Sequence, residues 1–250
     1  MARILLSNDD GVTSEGLLAL HQSVSALGQV SVVAPDREQS AAGHSLSLHR
    51  PLRIDVFKEG WCAVDGTPTD CINLALNGLF KDAPPDIVLS GINKGGNLGD
   101  DITYSGTVAA AMEATLLGIP AVAMSLSHEN GEVLNFELAQ DFAQKITKQV
   151  LQNGLGEGVL LNVNVPNIPL DKCRGVRVTR QGKRIYGDAI VEKIDPRGRE
   201  YFWIGGSGFN WGREPDTDFD AIVNNFISVT PIRLDLTDFD AIKSIEKWNF

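Results

Sequence analysis

Hydrophobic positions along the chain alternate between short unbroken runs and stripes at helical spacing. Ile4-Leu5-Leu6 is one such run, and it halts at Ser7-Asn8-Asp9-Asp10, as a buried parallel strand stops at a polar loop. Leu17, Leu20, His21, Val24 and Leu27 follow at helical spacing, with Gly28 where a helix C-cap would sit. Val30 to Ala34 is the next run, so the opening segment spells strand, helix, strand. Such a βαβ unit implies a right-handed crossover and a parallel sheet.

The alternation continues. Residues Pro35 to Arg50 hold no period and read as a loop leaving the C-terminal end of the second strand, where function often resides. Strands are predicted over Leu52 to Phe57 and Cys62 to Val64, and Thr67-Pro68-Thr69-Asp70 opens a helix through Leu74 and Leu79, with proline early in its first turn. Asp86 to Ser90 reads as a buried strand that feeds a Gly- and Asn-rich loop, Gly91 to Asp101, and Tyr104-Ser105-Gly106-Thr107 then starts an Ala-rich helix to Leu117. Further strands are expected at Ala121 to Ser125 and Val159 to Val165, with an amphipathic helix at Phe136 to Leu151 between them. Beyond Cys173 the pattern turns β-rich, at Val176 to Arg180, Ile185 to Val191 and Tyr201 to Ile204, broken by Asp195-Pro196-Arg197-Gly198. These segments read as extended hairpins that reach outward rather than build core, with a late strand at Val229 to Leu236 and a short helix at Asp238 to Trp248. The expected fold is α/β: a Rossmann-like three-layer α/β/α sandwich with a mostly parallel sheet over residues 1–170. A β-hairpin and C-terminal segment, 171–250, would serve oligomerisation and subunit exchange.

Composition narrows the function. Of 250 residues, 43% are hydrophobic and 22% charged, which fits a globular chain and excludes disorder. The 22 Lys and Arg against 32 Asp and Glu leave a net charge of −10, which argues against nucleic acid as a partner. An anionic small molecule would then need a local metal ion or a ring of backbone amides. Cys62, Cys71 and Cys173 are odd in number and lack CxxC spacing, so a reducing compartment is expected. The first apolar run is too short for a signal peptide and no run reaches the ~20 residues of a membrane helix, so the chain reads as cytoplasmic with no membrane partner.

Four constellations could carry chemistry. Asp9 and Asp10 are adjacent carboxylates at the end of a parallel strand; they either form an exposed Asx turn, with Gly11 supplying the positive φ, or hold a hard divalent cation between them. Ser40 is either a loop serine bonded to nearby backbone or a site residue, but no Gly-x-Ser-x-Gly elbow surrounds it. In Ser90 to Asp101, Asn93 and Asn97 offer amide groups to a metal or an anion without adding charge, unless the stretch is merely a flexible glycine loop. It carries neither a Gly-Lys-Ser/Thr phosphate loop nor a dinucleotide fingerprint. Ser105 is an N-cap or, with Gly106 and Thr107, part of a phosphate cradle. The histidines lack metal-ligand spacing; His21 reads as helix packing, and His44 as a proton-donor candidate.

Together Asn8-Asp9-Asp10-Gly11, Ala34-Pro35-Asp36-Arg37 through Ser40 to Gly43, Gly66-Thr67-Pro68-Thr69-Asp70-Cys71, and Pro85-Asp86 through Asn93 to Tyr104-Ser105-Gly106-Thr107-Val108 resemble the SurE family, the survival-protein-E nucleotidases and acid phosphatases. Asn162-Val163-Asn164-Val165-Pro166, Thr217-Asp218-Phe219 and Ser228-Val229-Thr230-Pro231 extend the resemblance to nearly the whole chain. It implies a phosphomonoesterase that hydrolyses nucleoside 5′- and 3′-monophosphates with metal-activated water, with short polyphosphate as a further substrate. One divalent ion per subunit, Mn²⁺, Mg²⁺ or Co²⁺, is implied on Asp9, Asp10, Ser40 and Asn93. The phosphate is implied on Asn97, Ser105, Gly106 and Thr107, and the assembly is implied to be a homodimer or homotetramer. Asp9 or Asp10 is the candidate to orient or deprotonate the attacking water. Direct attack is favoured over a covalent phosphoenzyme, since the chain has no Cys-x₅-Arg loop and no Asp-x-Asp after its first strand. The rival reading is a nonenzymatic nucleotide-binding or sensing module in the same crevice, which would bind without turnover.

Overall fold

The computed structural model describes residues 1–129, 131–185, 190–204, 210–212 and 214–249. In chain order the elements are β1 (Ala2–Ser7), α1 (Glu15–Val24), β2 (Gly28–Pro35), β3 (Ile54–Lys58), β4 (Trp61–Val64), α2 (Pro68–Leu74), β5 (Ile87–Lys94), α3 (Gly106–Leu116), β6 (Ala121–Ser127), α4 (Glu137–Asn153) and β7 (Val159–Pro166). Then follow β8 (Val176–Val178), β9 (Arg184–Ile185), β10 (Ile190–Ile194), β11 (Glu200–Ile204), β12 (Asn210–Trp211), α5 (Asp218–Val223), β13 (Ile227–Arg233) and α6 (Phe239–Ile245).

Nine strands form one sheet in the order β3-β4-β2-β1-β5-β6-β7-β13-β8. From β4 to β7 all neighbours run parallel, while β3 and β13 join antiparallel. The two-residue period of β1 explains the layers. Ile4 and Leu6 face one side, where they pack with Leu17, Leu20 and Val24 of α1 and Leu138 and Phe142 of α4. Leu5 faces the other, against Cys71 and Ile72 of α2 and Val108, Ala110 and Ala111 of α3. Both faces are covered, which is why the strands read as unbroken apolar runs. The fold is therefore the expected α/β sandwich with a mostly parallel sheet and a C-terminal antiparallel hairpin, β10 with β11.

Local chemistry sets several boundaries. Thr67 caps α2, accepting from the Asp70 N–H at 3.0 Å while the Asp70 carboxylate accepts from the Thr67 N–H at 2.9 Å, and Pro68 fills the first turn. Three expectations need correction. Gly28 is no helix cap: α1 ends at Val24 with Ser25 as its cap, and Gly28 opens β2, where a Cβ would stand 2.1 Å from the Ala2 carbonyl oxygen. The Gly91 to Asp101 stretch is not wholly loop, because β5 runs on through Lys94 with an irregularity between Ser90 and Asn93, and Gly99–Thr103 coils into a 3₁₀ turn. Val176–Val178 is not part of a projecting hairpin; it pairs with β13 at the edge of the main sheet. The expected strand from Ile185 to Val191 falls partly on 186–189, which lie outside the described residues.

β1 stands between β2 and β5, so successive crossovers leave it in opposite directions. That reversal opens a crevice at the carboxyl ends of β1 and β5, the place where sheets of this kind take ligands.

Candidate active site

β1 delivers Asn8, Asp9 and Asp10 to this crevice. The Asn8 amide fixes the turn by donating to the Gly11 carbonyl at 3.0 Å and to Ser14 Oγ at 2.7 Å, and Ser14 in turn caps α1. Gly11 has φ +97°, as the Asp-Asp-Gly turn requires. A cleft of about 660 Å³ opens here, and Asp9, Asp10, Ser40, Asn93, Asn97 and Ser105 all line it. Six of the eight residues singled out in the sequence thus meet at one place.

The other two, Gly106 and Thr107, stand behind the wall rather than on it. Thr107 is fully buried and its hydroxyl donates to Asp9 Oδ1. At Gly106 a Cβ would lie 2.7 Å from the Asp9 Cβ, so glycine lets the start of α3 close onto this carboxylate. Asp9 is only 5% exposed. Burial pushes its carboxyl above the ordinary range, against the opposing pull of the Thr107 hydroxyl and the amides at the α3 N-terminus. Asp10 is pushed up to about 6, first by burial and then by the charge of Asp9, with the Lys94 amide and ammonium opposing. Neither carboxylate makes a salt bridge among the described residues.

Ser40 reaches the cleft on the 35–50 loop, its hydroxyl donating to Glu38 at 2.7 Å. The loop is pinned at several points: the Gln39 N–H to the Asp9 carbonyl at 2.8 Å, the Gly43 N–H to the Tyr104 carbonyl at 3.1 Å, and the Ser47 N–H to Asp70 at 2.9 Å. His44 is part of this anchoring. Its Nε2 lies 2.8 Å from Glu113, a buried carboxylate on α3 that also accepts from Asn73 at 2.7 Å. Those bonds hold the Glu113 carboxyl below its ordinary value against burial, so His44 pairs with Glu113 and is not on the cleft wall. His21 packs on Trp61, with ring centroids 5.1 Å apart, as expected for helix packing.

Asn93 donates to the Gly95 carbonyl at 2.9 Å. Asn97 is gripped on every side: its N–H donates to Asn164 at 2.8 Å, its side chain donates to Ser125 Oγ at 2.8 Å, and its carbonyl accepts from Asn162 and Asn164, both at 2.9 Å. Sequence reasoning gave no role to Asn162 and Asn164. Their signal was two amides inside an otherwise apolar strand, since buried amides on a strand must find partners. Lys94 was also missed, though among the described residues it is the one Lys or Arg lining the cleft, together with the carboxylates of Asp9, Asp10, Glu15, Glu38 and Asp101.

What gathers here is an oxygen-donor set: two carboxylates, a hydroxyl and an amide. No cluster of three His, Cys, Asp or Glu that could hold a metal occurs among the described residues. Adjacent carboxylates, Asp9 buried and Asp10 half-buried, without a salt-bridge partner among the described residues and flanked by neutral oxygens, suit a hard divalent cation such as Mg²⁺ or Mn²⁺. Fold and site together define an α/β protein with an oxygen-lined, carboxylate-rich crevice at the carboxyl end of its parallel strands.

Comparison with known proteins places that class. The family model for survival protein SurE matches residues 4–188. The chain is 52% identical over 246 residues to the 5′-nucleotidase SurE of Geobacter sulfurreducens, covering 98% of this chain and 93% of that protein. It is 50% identical over 245 residues to the 5′-nucleotidase SurE of Methylococcus capsulatus, covering 98% and 96%. The crystal structure of the SurE protein from Aquifex aeolicus is similar with a TM-score of 0.88 and 45% identity, over 98% of each chain. This chain belongs to the SurE family.

Proposed function

We propose that this protein is a divalent-metal-dependent phosphomonoesterase that hydrolyses nucleoside 5′- and 3′-monophosphates to nucleoside and phosphate. The observation that carries the reading is the Asp9–Asp10 pair, Asp9 buried and Asp10 half-buried at a parallel strand end beside a helix N-terminus, with no salt-bridge partner among the described residues. Five carboxylates and one lysine around the cleft would repel a phosphate monoester, and a bound divalent ion reverses that sign at short range. The similarity to proteins named 5′-nucleotidase supports the substrate class.

Asp9, Asp10, Ser40 and Asn93 would hold the ion, which supplies charge neutralisation at the phosphoryl oxygens and acidifies water. The protein's own groups supply the rest. Asp9 is fastened by Thr107 and the α3 amides, so it serves as a fixed ligand. Asp10 meets only the Lys94 N–H at 3.4 Å and keeps lone pairs to orient the attacking water and take its proton on a carboxylate oxygen. The second hydrogen of the Asn97 amide and the Ser105 hydroxyl hydrogen are available to phosphoryl oxygens, with the Lys94 ammonium nearby. The exposed apolar hairpin, with Phe202, Trp203 and Ile204, supports assembly into a homodimer or homotetramer.

The test is phosphate release from 5′- and 3′-nucleoside monophosphates and tripolyphosphate after EDTA treatment, with Mn²⁺, Mg²⁺ or Co²⁺ added back. Turnover restored by metal is expected. Nucleotide bound at equal affinity with and without metal, and never hydrolysed, would establish the binding module instead.

A further inference from the structure

Asp218 has no place in the roles above, yet it is fully buried and accepts three backbone N–H bonds. Its Oδ2 takes the Gly99 amide at 2.7 Å; its Oδ1 takes the Gly182 amide at 2.8 Å and the Phe219 amide at 2.9 Å. Gly99 begins the 3₁₀ turn that leads into Asp101 and Tyr104 on the cleft, whereas Gly182 is the root of the chain that runs out through β9 toward the hairpin. One carboxylate therefore clamps two segments distant in sequence. Two bonds run beside it: the Gln181 amide donates to the Gly99 carbonyl at 3.3 Å, and the Arg184 guanidinium pairs with Asp101. A buried carboxylate is costly unless its charge is met, and here three converging amide donors meet it.

The cleft is graded in depth. Asp9, Asn97 and Ser105 are 5%, 8% and 7% exposed and form its floor, while Tyr104 is 61% exposed and stands at the rim. A small phosphoryl group belongs at the floor with the oxygen ligands, and the organic group it leaves must lie against the rim. The floor has its own supports, Thr107 and the Asn162–Asn164 pair. The rim is held from outside.

We propose that Asp218 is a positioning residue for the organic part of the substrate: by fastening Gly99 to Gly182 it sets the Asp101–Tyr104 rim, without touching metal or phosphate. The inference rests on the nucleotidase reading above and extends it to the side of the cleft that meets the nucleoside.

Asp218→Asn is the direct test, because asparagine keeps the size but has a single acceptor oxygen, so one of the two segments loses its bond and faces an NH₂ donor. The readouts are steady-state hydrolysis of adenosine 5′-monophosphate by the Mn²⁺-loaded protein, competitive inhibition by inorganic phosphate, and Mn²⁺ titration by calorimetry. The expected result is a KM raised about tenfold, with kcat, the phosphate inhibition constant and the Mn²⁺ Kd each within about twofold of wild type. Phosphate and Mn²⁺ affinities falling in step with KM would mean a general loosening and would overturn the proposal, as would an unmoved KM in folded protein. Should Asp218→Asn fail to fold, Gly182→Ala replaces it, its methyl lying 2.7 Å from a Phe219 ring carbon and 3.0 Å from Asp218 Oδ1, with the same two outcomes. Wild-type protein without turnover overturns the nucleotidase reading and this inference together; turnover with an unmoved KM in the variant overturns the inference alone.

Discussion

The cleft at the ends of β1 and β5 and the hairpin β10–β11 sit at opposite extremes of burial and polarity. On the cleft floor polar groups are taken out of water and bonded, Asp9 to Thr107 and Asn97 to three neighbours, while at its exposed edge Ser40 donates to Glu38. In the hairpin, apolar groups stand in water, with Trp203 at 64% and Ile204 at 92% exposure, and among the described residues the two strands pair only with each other. An isolated two-stranded hairpin is marginal by itself. The cleft carries an excess of carboxylates and the hairpin lacks cover, so the first calls for a cation and the second for a protein surface. A mutation at either place should injure a different property, and that difference can be measured.

The largest expected effect is on the cleft. Asp9→Asn removes the best-supported candidate ligand while keeping its shape, and metal-dependent catalysis is worth several kcal/mol, so phosphate release should fall about 10³-fold or more with the fold retained. Circular dichroism alongside the assay checks the fold. Next in size is Thr107→Val, which removes the hydroxyl from Asp9 without touching the cleft wall. Partners behind a ligand typically govern affinity by 10–100-fold, and a loss of about that order in Mn²⁺ binding is expected by calorimetry. On the other side of the comparison, Trp203→Glu should leave the melting temperature of the chain nearly unchanged and cut the assembled fraction seen by sedimentation, since this side chain is 64% exposed.

The smallest effect is in the pH dependence of metal-free protein. Asp10 in the folded chain has its carboxyl at about 6, above the 3.8 expected of an exposed one. Between those values the folded state holds a proton that the unfolded state has released, so this group's contribution to stability falls as pH rises through the window and is level above it. On the proposed reading, metal would take the place of that proton. The rise in melting temperature on adding Mn²⁺ should therefore grow from pH 4 to pH 6.5 and then flatten; a rise that shrinks with pH would break the link between Asp10 and the ion.

Much of this was legible from the order of residues alone, for identifiable reasons. Ile4-Leu5-Leu6 reads as a strand buried on both faces because helices do cover both, and its abrupt polar end marks the crevice. Thr67-Pro68 marks a helix start because the missing proline N–H costs nothing there. Other features depend on partners far along the chain. Gly91 to Lys94 look like loop, but the neighbouring β6 draws Asn93 and Lys94 into the sheet. β13 joins the main sheet by pairing with β7, and β8 joins by pairing with β13, which local pattern does not encode. The grouping of Asp9, Asp10, Ser40 and Asn93 was implied by the resemblance to the SurE family, whereas the supports behind them were not. Glu113 looks like a chance acid in an Ala-rich helix until His44 and Asn73 close on it, and Asn164 is a strand residue until it meets Asn97, 67 positions away.

The central claim is that Asp9 and Asp10 are paired in order to hold a divalent ion that serves phosphate-ester hydrolysis. The most direct measurement is phosphate release from adenosine 5′-monophosphate by EDTA-treated wild type and Asp9→Asn, titrated side by side with Mn²⁺. The account predicts no activity before addition, saturable recovery in wild type, and none in the variant at the concentrations that saturate wild type. Full activity in the EDTA-treated wild type, or equal recovery in Asp9→Asn, would contradict it.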